Sequence, residues 1–275
     1  VVNSDATAIE QIIRIYSGGK LTVNNATIYG GKGRCINNEG ELVMNNVSLE
    51  RAHLVYDESY GYTSGAGIRN KGKASLTNRN IRRNGCDSNG GGFLNALAGS
   101  VMVFNTCSVV ETRNFTSGMG GGAGENQGIL YINNSTFANN QSSEIGGGIN
   151  NFGGTIYAMN STFTGNVTTV GYAYYGGAIG INGGNLYAVN SVFAFNQSGA
   201  GISDIGLYSL SSTSKVELYN CAYTSVAGNS SNVAKVKTVD CKQISESDVP
   251  GDVFDGSRTS GVLDQNGVEQ STTYD

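Results

Sequence analysis

The chain has 275 residues and a formal net charge of -4, with 14% charged and 39% hydrophobic residues. That balance carries no basic stripe to neutralise phosphates, which argues against a nucleic-acid partner, and no apolar run approaches a membrane span. With 41 glycines against one proline, one histidine (His53) and five cysteines without a CxxC pair, neither a proline-rich linker nor a metal site is expected, and no cofactor is called for.

The opening VVNSDATAIE lacks the basic start and apolar core of a signal peptide, so the chain reads as processed or as a piece of something longer. Residues 1–16, with DATAIEQIIRI at 5–15, read as an amphipathic cap or as the first strand of a degenerate rung. A phrase of the form L-x-V-x-N-x-x-F then recurs. It runs LTVNNATI from Leu21, LVMNNVSL from Leu42, ASLTNRNI from Ala74 and VMVFNTCS from Val101. It continues as LYINNSTF from Leu130, IYAMNSTF from Ile156, LYAVNSVF from Leu186, VELYNCAY from Val216 and VKTVDCKQ from Val236. Its fifth letter is Asn25, Asn46, Asn78, Asn105, Asn134, Asn160, Asn190 and Asn220, then Asp240, at separations of 20 to 32 residues. A variable period around a constant phrase marks a solenoid whose loops differ in length while its strands stay in register.

Alternation places the first and third letters on one face, and they are largely aliphatic. The same alternation places the asparagine inward. Stacked strands ~4.8 Å apart let each amide donate to one neighbour and accept from the other. A buried amide without such partners costs about 1–3 kcal/mol. Ahead of each strand a glycine-rich phrase ends at Ile68, Phe93, Ala123, Ile149 and Ile179, a tight corner from which an apolar residue re-enters the core. Phe137, Phe163 and Phe193 are expected to stack inside. Residues 1–244 therefore read as an all-β, right-handed parallel β-helix of nine to ten rungs, each with three short strands. Residues 245–275 read as an acidic tail or strap.

The GGxI and FxxN phrases are clearest as GGGI…FTGN and GGAI…FAFN, with FANN at 137–140. They resemble the repeats of the chlamydial polymorphic outer-membrane protein family over roughly residues 65–196. The resemblance implies a β-helix displayed as a surface adhesin.

On the outward face, the second and fourth letters turn apolar from the fourth copy onward: Met102, Phe104, Tyr131, Tyr157, Met159, Tyr187, Val189 and Tyr219. Contiguous exposed apolar surface marks an interface. Self-assembly, a glycan platform of stacked tyrosines and cover by the C-terminal strap are the three readings. Two corner insertions, at 51–64 and 167–176, gather Tyr56, Tyr60, Tyr62, Tyr172, Tyr174 and Tyr175, candidates for glycan contact.

β-Helices also serve polysaccharide lyases and hydrolases. Here Arg69, Lys71, Lys73, Arg79, Arg82 and Arg83 alternate with no acidic cluster to hold calcium, and the strands pair no carboxylates, since Asp240 is at the ladder position and Glu217 stands alone. His53 has no local orienting partner and reads as a surface residue. Cys221 and Cys241 share one outward repeat position on adjacent rungs, within reach of a disulfide that would imply an oxidising compartment, with two free thiols as the alternative. Among Asn-x-Ser/Thr sequences, Asn25, Asn46, Asn134 and Asn160 read as inward. That leaves Asn114, Asn140, Asn166, Asn196 and Asn229 as candidates for N-glycosylation. The expectation is a non-enzymatic extracellular or cell-surface β-helix for adhesion or assembly, self-associating through its apolar face and open to a glycan or host-surface partner. A secreted polysaccharide-degrading enzyme and a sugar-binding module are the alternatives.

Overall fold

Every turn of this chain is bent by residues held in the left-handed backbone region. At the first corner these are Asn25, Asn46, Asn78, Thr106, Asn134, Asn160, Asn190, Asn220 and Asp240, with φ between 49° and 53°. Asparagine and aspartate are the side chains that tolerate this region best outside glycine. The computed structural model describes residues 11–55, 64–115 and 120–245, together with the backbone of the strands Arg258–Leu263 and Glu269–Tyr274.

One such residue between two extended segments resets the side-chain alternation. In the fifth copy Leu130 and Ile132 point inward before it, and Ser135 and Phe137 point inward after it. The asparagine itself is left exposed on the outside of the corner, which corrects its expected inward placement. Neighbours still pair there: Asn46 Nδ2 donates to Asn25 Oδ1 at 2.8 Å and Asn220 Nδ2 to Asn190 Oδ1 at 2.7 Å. In the fourth copy the corner is Thr106 rather than Asn105, so the register moves by one. Met102 then pairs with Leu130 and Phe104 with Ile132, and both are 0% exposed. Met102 and Phe104 belong to the core and not to the outer face.

The result is an all-β parallel solenoid. One sheet runs from Lys20–Gly31 through Glu41–Leu54, Lys73–Arg82 and Val101–Val110. Beyond these each level splits at the corner, as in Ile129–Asn133 and Thr136–Ala138. A second, nine-stranded parallel sheet extends from Gln11–Ile15 to Val226–Gly228. Gln11–Ile15 is thus a strand paired with Arg34–Asn38, not a helical cap. The third face is strand-paired on six levels: residues 53–54, Gly85–Cys86, Arg113–Asn114, Gln141–Ser142, Val167–Thr168 and Gln197–Ser198. About six turns are therefore three-sided, fewer than the nine to ten rungs counted from the phrase. After the last of these levels the chain turns back, and Gly201–Ile202 pairs antiparallel with Gln197–Ser198. Within the acidic C-terminal region, Arg258–Leu263 and Glu269–Tyr274 pair antiparallel as a two-stranded sheet of their own.

Inside, Phe137, Phe163 and Phe193 stack as expected, with centroids 5.1 and 4.8 Å apart. Two amide ladders are buried, neither of them at the repeat phrase's own asparagine. Asn38, Asn70, Asn95 and Asn126 each donate Nδ2 to the Oδ1 of the next at 2.7–2.9 Å, and Asn151, the last acceptor, donates to the carbonyls of Gly154 and Asn185. The second ladder follows another left-handed corner, formed by Arg83, Glu111, Asn139, Gly165 and Phe195. Asn140 donates to Asn166, Asn166 to Asn196, and Asn196 to Asp204 Oδ1, each at 2.8 Å. Asp204 terminates the column, because its other oxygen accepts the backbone N–H groups of Thr224 at 2.6 Å and Ser225 at 3.0 Å. The glycine phrases serve close approach as well as turning: Gly146 has φ 70°, and a Cβ at Gly147 would stand 2.4 Å from the Val167 carbonyl carbon.

Glu125, on the strand Gly124–Asn126, is 0% exposed and accepts from Gln127 Nε2 at 2.7 Å and Asn150 Nδ2 at 3.1 Å. Burial pushes its pKa above the usual carboxylate value, and these donors partly offset the effect. Such a group keeps its proton in the folded state after the unfolded chain has released it at about pH 4.3. Its stabilising contribution is complete below that pH and is lost as pH rises through the folded value. The denaturant midpoint of the wild type is expected to fall across that window. Glu125→Gln should flatten part of the fall, leaving the share of Asp204, whose pKa burial also raises. An identical slope in the variant would refute this role for Glu125.

Candidate functional site

With the aliphatic letters turned inward, the long sheet presents its second and fourth letters to the outside. Tyr131, Tyr157 and Tyr187 stand opposite one another on three successive levels. Their ring centroids are 5.1 and 5.2 Å apart and successive planes differ by 12°. That separation is close to one strand spacing. The rings therefore lie face against face along the rod, so edges and hydroxyls project while the ring faces cover one another. Beside them run Met159, Val189 and Tyr219, paired in register, with Met159 43% exposed.

This patch has polar borders. Toward the N-terminal levels Tyr131 is followed by Val103 and then Ser75. Toward the C-terminal levels Tyr187 is followed by Glu217 and Lys237. The Tyr219 hydroxyl donates to Glu217 Oε2 at 2.6 Å, and Lys237 Nζ donates to that hydroxyl at 2.8 Å while lying 5.0 Å from the ring centroid. The Lys237 ammonium is held above its usual pKa, chiefly by its hydrogen bond to Tyr219.

A second aromatic group sits on the insertion at 167–176. Tyr172 and Tyr174 stack at 5.1 Å, and Tyr175 meets both edge-on at 5.4 and 5.1 Å. Tyr208, from the strand Ile205–Ser209, joins at 5.4 Å from Tyr175. Tyr208 escaped the sequence reading, although ISDIGLY repeats the register of GGAIGIN and pairs Ile205 with Ile179. Tyr56, Tyr60 and Tyr62 lie outside the described residues.

Neither a family model nor a curated protein matches this chain.

The remaining candidates separate by depth. Asn114, Asn140, Asn166 and Asn196 are 0–1% exposed and so closed to glycosylation, whereas Asn25, Asn46, Asn134 and Asn160 are exposed, the reverse of the sequence reading. Asn229 is exposed and caps the short helix Ser230–Val233 by accepting the Asn232 N–H at 2.8 Å. Cys221 and Cys241 occupy the inward position after the corner, not an outward one. Both are free thiols, with the Cys221 N–H donating to Cys241 Sγ at 3.4 Å. His53 is 5% exposed against the Phe115 ring, 5.0 Å away, and is not a surface residue.

Three of the six basic residues in that run find acids one level away: Lys71 meets Glu39 at 3.6 Å, Arg82 meets Glu50 at 2.9 Å and Arg83 meets Glu111 at 2.9 Å. Among the described residues no three His, Cys, Asp or Glu side chains are grouped to hold a metal, and no helix is long and apolar enough to cross a membrane.

Proposed function

We propose that this chain is a non-enzymatic, extracellular or cell-surface rod that associates with further copies of itself through the tyrosine face of its long sheet. The observation that carries the reading is the outward stack of Tyr131, Tyr157 and Tyr187 flanked by Met159 and Val189. A solvated sheet face alternates polar residues outward, and aromatic residues with methionine on a surface are the composition of interface centres. Because the ring faces are spent on one another, a sugar would meet only edges, while a second rod meets a ridge of edges and hydroxyls into which its own side chains fit. The exterior location rests on the resemblance of the GGxI and FxxN phrases to surface proteins. A polysaccharide-cleaving alternative wants two carboxylates across a groove; on this face Glu217 is engaged by Tyr219.

The wild type is expected to scatter light as an oligomer or polymer, and Tyr157→Lys as a monomer with an unchanged circular dichroism spectrum. A wild type that stays monomeric across the accessible concentration range sinks the proposal. A second reading, glycan contact, attaches to the cluster of Tyr172, Tyr174, Tyr175 and Tyr208, in which Tyr175 meets the other three rings at 61–85°. Binding of neutral oligosaccharides lost in Tyr172→Ala would favour it.

A further inference from the structure

The inward position just after the first corner carries a hydrogen-bonded column of its own. Ser135, Ser161 and Ser191 fill it on three successive levels, and each side-chain oxygen accepts the N–H of its counterpart one level earlier at 3.0–3.2 Å. Each also donates back to the carbonyl two residues before it, at 2.7–2.9 Å. On the last two levels the same role passes to Cys221 and Cys241. The Cys221 N–H donates to Cys241 Sγ at 3.4 Å, and the two thiols donate back to the carbonyls of Tyr219 and Val239, each at 3.3 Å. Cys241 Sγ also lies 3.3 Å from the Leu218 carbonyl, so this sulfur leans across the gap toward the level of Cys221.

The two cysteines stand opposite one another, bracketed by the pairs Tyr219 with Val239 and Ala222 with Lys242. One strand spacing of about 4.8 Å falls inside the roughly 4.4–6.8 Å that separates Cα atoms across a disulfide. The other thiols are closed off. Burial pushes Cys35 and Cys86 up to about 12 and Cys107 up to about 11, which keeps all three protonated and unreactive. Cys241 is only half-buried. Its flanking strands, Val236–Val239 and Lys242–Gln243, are paired on one side alone among the described residues. An edge free on one side can shift to let two sulfurs meet, where a level clamped on both sides cannot.

We infer that Cys221 and Cys241 form a thiol–disulfide exchange site that reacts with a low-molecular-weight disulfide and becomes a staple across the last level of the rod. The accessible Cys241 thiolate attacks one sulfur of the external disulfide, forming a mixed disulfide and expelling one small thiolate. The Cys221 thiolate then attacks the Cys241 sulfur and expels the second. Two protein thiols are oxidised, the external disulfide is reduced to two small thiols, and those thiols take up the two protons. An accessible thiol beside a resolving one is the usual arrangement of a redox-responsive pair. The bond joins positions 20 apart in sequence and so removes freedom from the unfolded chain. Neither sulfur belongs to the tyrosine face, so the site stands whether or not the rods associate.

The test incubates the folded full chain with glutathione disulfide and reduced glutathione at fixed ratios, then counts free thiols after quenching and denaturation. The count should fall from five to three, and peptide mapping should join Cys221 to Cys241. The thermal midpoint should rise by several degrees and return on adding excess reduced glutathione. Serine is the resident of this column on three levels, so Cys221→Ser and Cys241→Ser should fold with the midpoint of the reduced wild type. Cys221→Ser should stop at a glutathione adduct on Cys241, and neither variant should show the rise. Retention of all five thiols, a lasting glutathione adduct on Cys241 of the wild type, or linkage through other cysteines overturns the pair. A Cys221–Cys241 bond that leaves the midpoint unchanged overturns its role as a staple.

Discussion

Asn166→Leu is expected to cost about 3–5 kcal/mol, a large share of the 5–15 kcal/mol that holds a typical domain folded. The side chain is 0% exposed and sits mid-column. Its Oδ1 accepts the Asn140 N–H at 3.1 Å and Asn140 Nδ2 at 2.8 Å, and its Nδ2 donates to the Phe137 carbonyl at 2.9 Å and to Asn196 Oδ1 at 2.8 Å. Leucine matches the volume but leaves a backbone donor and a backbone acceptor buried without this partner. Each such group costs about 1–3 kcal/mol. The Asn140 amide keeps a second acceptor in the Val109 carbonyl, which limits the total. The comparison that gives the result meaning is Asn160→Gly. Asn160 is exposed at φ 50°, a conformation glycine adopts without strain, so that change should fall within about 0.5 kcal/mol of zero. Chemical denaturation of the two variants at equal m-value measures the contrast. Equal losses would mean that the interior ladder has been assigned to the wrong asparagines.

That contrast also marks where the sequence stops being legible. The period, the parallel stacking and the Phe137–Phe163–Phe193 column could all be read from the repeat, because each needs only recurrence and a short apolar signature. The side of the wall on which a residue stands could not. Strict alternation carries Asn134 inward, but one left-handed residue consumes a position without completing a pleat, and everything after it changes side. Asn134 is that residue. A sequence holds no direct record of φ, so the asparagines that look most like a ladder are the ones that turn the corner. The buried ladder at Asn140, Asn166 and Asn196 lies three residues after each phenylalanine, in the FxxN phrase itself. Thr106 is the sharper case: with Asn105 beside it, the phrase aligns one residue early and exposes Met102 and Phe104 on paper. The outer tyrosines survive because they lie ahead of the corner. Ion pairs such as Arg82 with Glu50 join residues 32 apart in sequence, visible only once the levels are stacked.

Phe163→Ala should cost about 3–5 kcal/mol, through lost transfer free energy and a cavity the walls cannot collapse to fill. The ring is 0% exposed and lies between Phe137 at 5.1 Å and Phe193 at 4.8 Å, nearly parallel to both. Backbone hydrogen bonds fix the level spacing, so neighbouring rings cannot slide together to close a gap of one rung. In a solenoid each level contacts chiefly its neighbours, and the energetics should follow that geometry. A double-mutant cycle of Phe137→Leu with Phe163→Leu is expected to show a coupling of about 0.5–1.5 kcal/mol, the usual worth of an aromatic pair beyond its buried area. The same cycle between Phe163→Leu and Leu49→Ala, several levels apart, should be additive within about 0.5 kcal/mol. Coupling of similar size in both cycles would mean that the core yields as one body rather than level by level. The tyrosine ridge would then owe its alignment to the whole rod and not to the three rungs beneath it.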